Sequence, residues 1–186
     1  MTEIASESTA LIEALLGAGV SPTQLPPSGW SLVHDAAYND RPLILATLIK
    51  AAGADATALV NRSNGAEWRA LHFAVREGSI EMVQMLLRTG ADLHPRNGMG
   101  HTALEEAVYN RKRRLYPLLL AAGAGITGRL RANDAYLRKV ATMGFPRYEK
   151  AHRTRLTATC ARVVFPRLPV DAVSHVVAFA FHTGYY

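Results

Sequence analysis

Residues with the chemical character to carry a reaction are few and scattered. The lone cysteine, Cys160, lies in "RLTATCARVVF". No nucleophile signature surrounds it, so the stretch reads as a helix face and the thiol as a small buried hydrophobe. The chain contains no HExxH, no CxxC and no Gly-rich phosphate loop, and each of those chemistries needs its spacing. No catalytic residue, metal site or cofactor is expected, and the chain reads as a non-enzyme. Two other groups remain. One is basic: "NRKRRLYP", residues 110–117, holds four consecutive cations. It fits a solvated turn, a nuclear-import signal or a nucleic-acid patch. Stacking on single-stranded nucleic acid would fall to Tyr109 and Tyr116. The other group is aromatic. Trp30 stands three residues before Val33-His34, and Trp68 three before Leu71-His72.

The elements that position these residues need a core. The chain has 186 residues, 49% hydrophobic and 19% charged, which suits a globular domain and argues against disorder. One cysteine excludes an intrachain disulfide and fits a reducing, intracellular setting, cytoplasmic or nuclear. The start "MTEIASESTALIEALLGAG" is acidic before its apolar run, so no secretory leader is expected. No run of about 18 apolar residues is read, so no membrane contact is expected. The charge is asymmetric. Residues 1–110 hold 7 Lys/Arg and 12 Asp/Glu, whereas 111–186 hold 14 and 3. The basic half is either a solvated helical end or a surface for an acidic partner.

The sequence repeats itself. Glycine recurs in "LLGAGVSP", "IKAAGADA", "LLRTGADL" and "LLAAGAGI", at positions 19, 53, 90 and 123. The spacings are 34, 37 and 33 residues. A second landmark keeps step, in "SLVHDAA", "RALHFAV" and "TALEEAV". A period in this range marks stacked supersecondary units. "SIEMVQMLLRTG" puts Ile80, Val83, Met85, Leu86 and Leu87 on one helical face, with Glu81, Gln84 and Arg88 outside. Gly90 suits a left-handed C-cap. Thr102 and Glu105 have capping-box spacing. Helices are predicted over 31–38, 42–50, 69–76, 80–88, 102–109 and 115–121.

In "GWSLVHDAA" and "AVREGSIEMVQMLLRTGADL" the chain resembles the ankyrin repeat, whose unit opens Gly-x-Thr-Pro-Leu-His-x-Ala-Ala and closes Gly-Ala-Asp. The resemblance covers about residues 8–127. It departs at the Thr slot (Ser31, Arg69), at the Pro slot (Leu32, Ala70, Ala103) and at the last His slot (Glu105). Extra residues fall near Ala52 and around "SNGAEW", and the first unit is degenerate. The resemblance implies an all-α solenoid of three to four helix pairs over 1–127. It also implies that His34 and His72 hydrogen-bond between turns rather than bind metal.

The resemblance further implies a concave binding strip at equivalent slots. These hold Trp30, Trp68 and His101; then Tyr38, Arg76 and Tyr109; then Asn39, Glu77 and Asn110. Trp, Tyr and Arg favour such a role because they dominate interface hot spots. The competing reading packs the two Trp rings on neighbouring turns. A protein partner, bound by a monomer, is expected; nucleic acid is the alternative partner.

Residues 128–186 read as a basic helical extension packed on the last repeat, since a solenoid end needs covering. One helix is expected from Asn133 or Asp134 to Gly144, another from Pro146, and a last apolar one in "VDAVSHVVAFAF". There Val173, Val176, Val177 and Phe181 are expected to avoid water. "LPVDAVSHVVAF" is also similar to the opening of an F-box, and "CAR…LP" to a SOCS box. Either would make the tail a docking element of a ubiquitin-ligase adaptor.

Overall fold

The computed structural model describes residues 29–163 and 169–182, with a few single positions before Gly29. The degenerate first unit and the start of the F-box-like stretch lie outside the described residues. The described chain is helical, with no strand among the described residues and one isolated bridge between Ser63 and Arg69. Compactness divides it into two units, residues 1–115 and 116–186. That division falls ahead of the expected boundary at 127, because the second helix of the last pair packs with the tail helix that begins at Phe145.

The first unit stacks helix pairs. The first pair is α1 (Leu32–Tyr38) and α2 (Pro42–Ala52), followed by the short α3 (Ala56–Val60). The second pair is α4 (Ala70–Glu77) and α5 (Ile80–Arg88), and α6 (Ala103–Tyr109) opens the third. α4 packs between α1 and α6, and α2 packs on α5. Ala36, Ala37, Ala74, Ala103 and Ala107 are buried at these contacts, and their small size lets the helix backbones approach. Leu45, Leu48, Leu71, Met82, Leu86 and Leu104 fill the rest. On α5 the buried row is Met82, Val83 and Leu86, with Ile80, Met85 and Leu87 half-buried. The expected face was therefore rotated: it omitted Met82.

Each turn between paired helices needs one left-handed residue. Gly78 supplies it in the second pair (φ 89), while Asp40 (φ 49) and Arg111 (φ 57) supply it in the other two. The starts of α5 and α6 carry side-chain caps. Ser79 Oγ accepts from Met82 N–H, and Thr102 and Glu105 form a reciprocal capping box.

The inserted residues do not lie around "SNGAEW". Asn64–Trp68 corresponds, residue for residue, to Asn97–His101, 33 positions later. Most of the insertion is α3. It is fixed to the following repeat: Thr57 Oγ1 donates to Thr89 O (2.9 Å), and Asn61 Nδ2 to Gly90 O (2.8 Å). Asn61 Oδ1 in turn accepts from Asp92 N–H (2.7 Å). With α3 included, Pro42–Val60 is helical and apolar enough, by length and composition, to cross a membrane, which the sequence reading missed. Gly53 (φ 53) interrupts it, and Ile44, Leu45, Leu48, Leu59 and Val60 are buried within the protein. These are core positions of a repeat.

The second unit contains α7 (Tyr116–Ala121), α8 (Gly128–Asn133), α9 (Ala135–Met143), α10 (Phe145–Val163) and α11 (Val170–His182). Asp134 caps α9, accepting from Tyr136 N–H (2.8 Å) and Leu137 N–H (3.1 Å). α11 lies on α10, with Val173 and Val177 buried against Leu156, Cys160 and Ala161. Cys160 is half-buried rather than sealed. Contrary to expectation Val176 is exposed, because it projects away from that seam. The Phe181 side chain lies outside the described residues.

Candidate partner-binding surface

The turn tips are built by two asparagines. Asn64 Oδ1 accepts from Ala66 N–H (3.0 Å) and Trp68 N–H (2.9 Å). Asn97 Oδ1 does the same for Met99 and His101, both at 3.0 Å. Successive tips are joined where Gly98 N–H donates to Ala66 O (3.0 Å). A Cβ on Gly98 would stand 2.6 Å from that same oxygen, so the approach requires glycine.

Histidines tie the first helices to the tips. His34 Nδ1 accepts from Ser31 N–H (3.1 Å), so its proton sits on Nε2, which faces Arg62 O and Trp68 O, both at 3.1 Å. His72 repeats this with Arg69 N–H (3.2 Å) and Pro95 O (3.2 Å). Burial pushes both imidazoles below their ordinary pKa; the carbonyls they face act in the opposite sense but more weakly. These two residues therefore hold the frame as neutral groups.

The slots behave differently in the three copies. In the first two they form an aromatic cluster centred on Phe73. Trp30 meets Phe73 edge-on (5.0 Å), Trp68 stacks on it (4.9 Å), and Tyr38 approaches edge-on (5.9 Å). Trp68 is only 8% exposed, against the expectation of an exposed ring, because it lies between Phe73 and the Arg76 guanidinium, 5.5 Å from its centroid. Trp30 is half-buried and Tyr38 is 46% exposed. The two tryptophans are thus joined through Phe73, a residue the sequence reading passed over.

In the third copy the cluster is polar. Glu106, 1% exposed, takes the place that Phe73 holds in the second. Its carboxylate accepts from Asn97 Nδ2 (3.2 Å), His101 Nδ1 (3.0 Å) and Asn110 Nδ2 (2.8 Å). Glu105, at the histidine slot, bonds Thr102 N–H (2.9 Å) and pairs with Arg96. Among the described residues every buried side-chain nitrogen and oxygen has a hydrogen-bond partner. Over this network His101 is half-buried, its ring 5.2 Å from that of Tyr109, which is 65% exposed. His101 carries its proton on Nδ1, the reverse of His34 and His72.

The third set of slots does structural work as well. Asn39 Nδ2 donates to Asp35 O (3.0 Å), and Asn110 Nδ2 to Glu106 O (2.9 Å), each closing the last turn of its helix. Arg76 and Glu77 are exposed. The Glu77 carbonyl accepts from Lys112 Nζ (2.9 Å), so one cation of the run 111–114 serves as a helix C-cap. Exposed tip residues outside the expected strip include Met99 and Glu67, the latter held at φ 62.

Stacked helix pairs tied through Asn-headed tips and buried histidines define a repeat protein in which each unit is held by its neighbours. A family model described as ankyrin repeats (3 copies) matches residues 3–97 and, overlapping, 33–129, and the chain belongs to the ankyrin-repeat family. Among curated proteins it is similar to the B-cell lymphoma 3 protein homolog of Mus musculus, 30% identical over 135 residues, which are 72% of this chain and 30% of that protein. It is also similar to the nuclear factor NF-kappa-B p105 subunit of Gallus gallus, 30% identical over 121 residues, 64% of this chain and 12% of that one. The chain thus spans less than a third of the length of these relatives. Its repeats make it a protein-interaction module.

Proposed function

We propose that the first unit recognises a protein partner, without catalysis, through the face formed by its turn tips and first helices. The carrying observation is that Tyr38, Arg76 and Tyr109 recur at one repeat position and are all exposed. Tyr38 leans on the Phe73 cluster and Tyr109 on His101 above buried Glu106. Rings already fixed from behind lose little rotamer entropy on binding, which favours them as anchors. Trp30, Asn39, Glu77, His101 and Asn110 line the same face, and Trp68 contributes support from beneath rather than open ring surface. An intracellular setting accords with the single cysteine and with a relative named a nuclear factor subunit. The module acts as a monomer.

Affinity capture with the full chain, repeated with Arg76→Ala and Tyr109→Ala, tests this. A partner bound through the face is retained by the parent chain and lost by the variants. Each substitution costs about 2 kcal/mol or more of binding if it removes a hot spot. Tyr109 is exposed, so its substitution shifts folding stability by no more than about 0.5 kcal/mol, while Arg76→Ala also uncovers Trp68 and costs about 0.5–1 kcal/mol. A partner held equally by all three proteins sinks the proposal.

A further inference from the structure

The second unit carries its charge on its best-exposed helices. Arg129, Arg131, Lys139, Arg147, Lys150 and Arg155 are all exposed on α8, α9 and α10. The acids along this stretch are Asp134 and Glu149, and both are engaged. Asp134 caps α9, and Glu149 pairs with Arg153 at 3.8 Å. Among the described residues none of the six cations has a carboxylate within ion-pair distance. Arg147, Lys150 and Thr154 follow one exposed row of α10, where neighbours three or four apart sit about 5–6 Å from one another. Lys139 of α9 and Arg155 of α10 both bear on His152, adding to the effect of burial in lowering its pKa. Lys139 and Arg155, from two helices, therefore share the neighbourhood of His152. Such self-repulsion disfavours the folded unit until a polyanion neutralises it.

We infer that this face binds the phosphate backbone of double-stranded nucleic acid. Four of the six cations are arginines, whose forked guanidinium matches phosphate oxygens. A lipid surface fits less well, because the exposed positions beside Arg147 and Lys150 are Ala151, Thr154 and Ala158, and an interfacial helix needs large apolar residues there. A single strand needs free aromatic platforms. The tyrosines here are already engaged: Tyr136 packs on Tyr148 (5.1 Å), and Tyr148 stacks on His152 (5.6 Å). Contacts of this kind read backbone and not bases, so the binding is sequence-independent.

Fluorescence anisotropy of the full chain with a labelled mixed-sequence DNA duplex tests the inference. The matched single strand, polyglutamate and phosphatidylserine vesicles serve as competing probes at equal ionic strength. The duplex binds most tightly, and its log K falls against log salt with a slope of about −4, as four to five phosphate contacts require. A combined Arg147→Glu, Lys150→Glu and Arg155→Glu variant binds on the order of 30-fold more weakly and has a slope shallower by about 2.7. The corresponding triple Gln variant gives a smaller loss in the same direction, and guards against misfolding of the reversed chain. Arg41→Glu with Lys50→Glu, in the first unit, changes neither quantity. The inference is overturned by duplex binding that is absent or insensitive to salt. It is equally overturned if any competing probe binds more tightly than the duplex, or if both triple variants keep the parent affinity.

Discussion

Glu67 occupies a position where its counterparts in the neighbouring tips are glycines. Gly29, Glu67 and Gly100 have φ of 69, 62 and 77, so the backbone there is left-handed in every copy. A residue with a Cβ in that region carries about 1–2 kcal/mol of strain. Glu67→Gly removes it. The tip survives the change, since Glu67 N–H still donates to Asn64 O (3.0 Å). Against the relief stands the greater freedom of glycine in the unfolded chain, about 0.4–1 kcal/mol. The net expectation is a gain of about 0.5–1 kcal/mol, or roughly 1–4 °C in Tm for a chain of this size. Urea unfolding followed by tryptophan fluorescence measures it in the right unit, because Trp30 and Trp68 both lie in the first. Glu67→Ala is the control: it removes the carboxylate but keeps the Cβ, and should be near neutral. A Gly variant no more stable than the parent refutes the reasoning, as does an Ala variant that gains equally.

Two further outcomes follow from the same unit. Trp68→Ala should destabilise it by about 3 kcal/mol or more, since it empties a stacked, nearly buried position. A shift in the urea midpoint worth less than about 1 kcal/mol would restore the exposed-ring expectation. His34 and His72 have depressed pKa values in the folded state, so the unfolded chain binds protons first as pH falls. Their stabilisation is fully present above the ordinary value of about 6.5 and drains away below it, by up to about 1.4 kcal/mol per pH unit for each histidine. Thermal melts that are flat between pH of about 6.5 and 5, above the carboxylate range, would contradict this.

The repeat was legible because its signals are local. Caps, the Gly–Ala–Asp close and the 33-residue return of "TALE" after "RALH" depend on neighbours in the chain. What was hidden depends on neighbours in space. Met82 faces inward because α2 packs on α5 and sets which arc of α5 is covered; the sequence shows only that α5 is apolar over a broad arc. Trp68 and Tyr109 looked alike as large aromatics at binding slots, yet the first is roofed by Arg76 and floored by Phe73 while the second is open. The signal for Phe73 was present, in that its counterparts are Asp35 and Glu106. A lone aromatic between two acids at one repeat position marks a change in what lies beneath. The asparagines of the tips were legible too, being 33 residues apart, but they lie outside the landmark motifs.

The inserted helix α3 alters how the stack would yield to a pull. In a solenoid each repeat is held only by its neighbours, so the weakest joint gives way first. Between the first and second described pairs, Thr57 and Asn61 add three hydrogen bonds to the joint that helix packing and His34 already make. Gly90 and its loop cannot leave without breaking them. Under tension these two pairs should come apart as one block, with a single large step in extension, rather than peel as separate links. A four-residue lengthening of one loop has made a rivet.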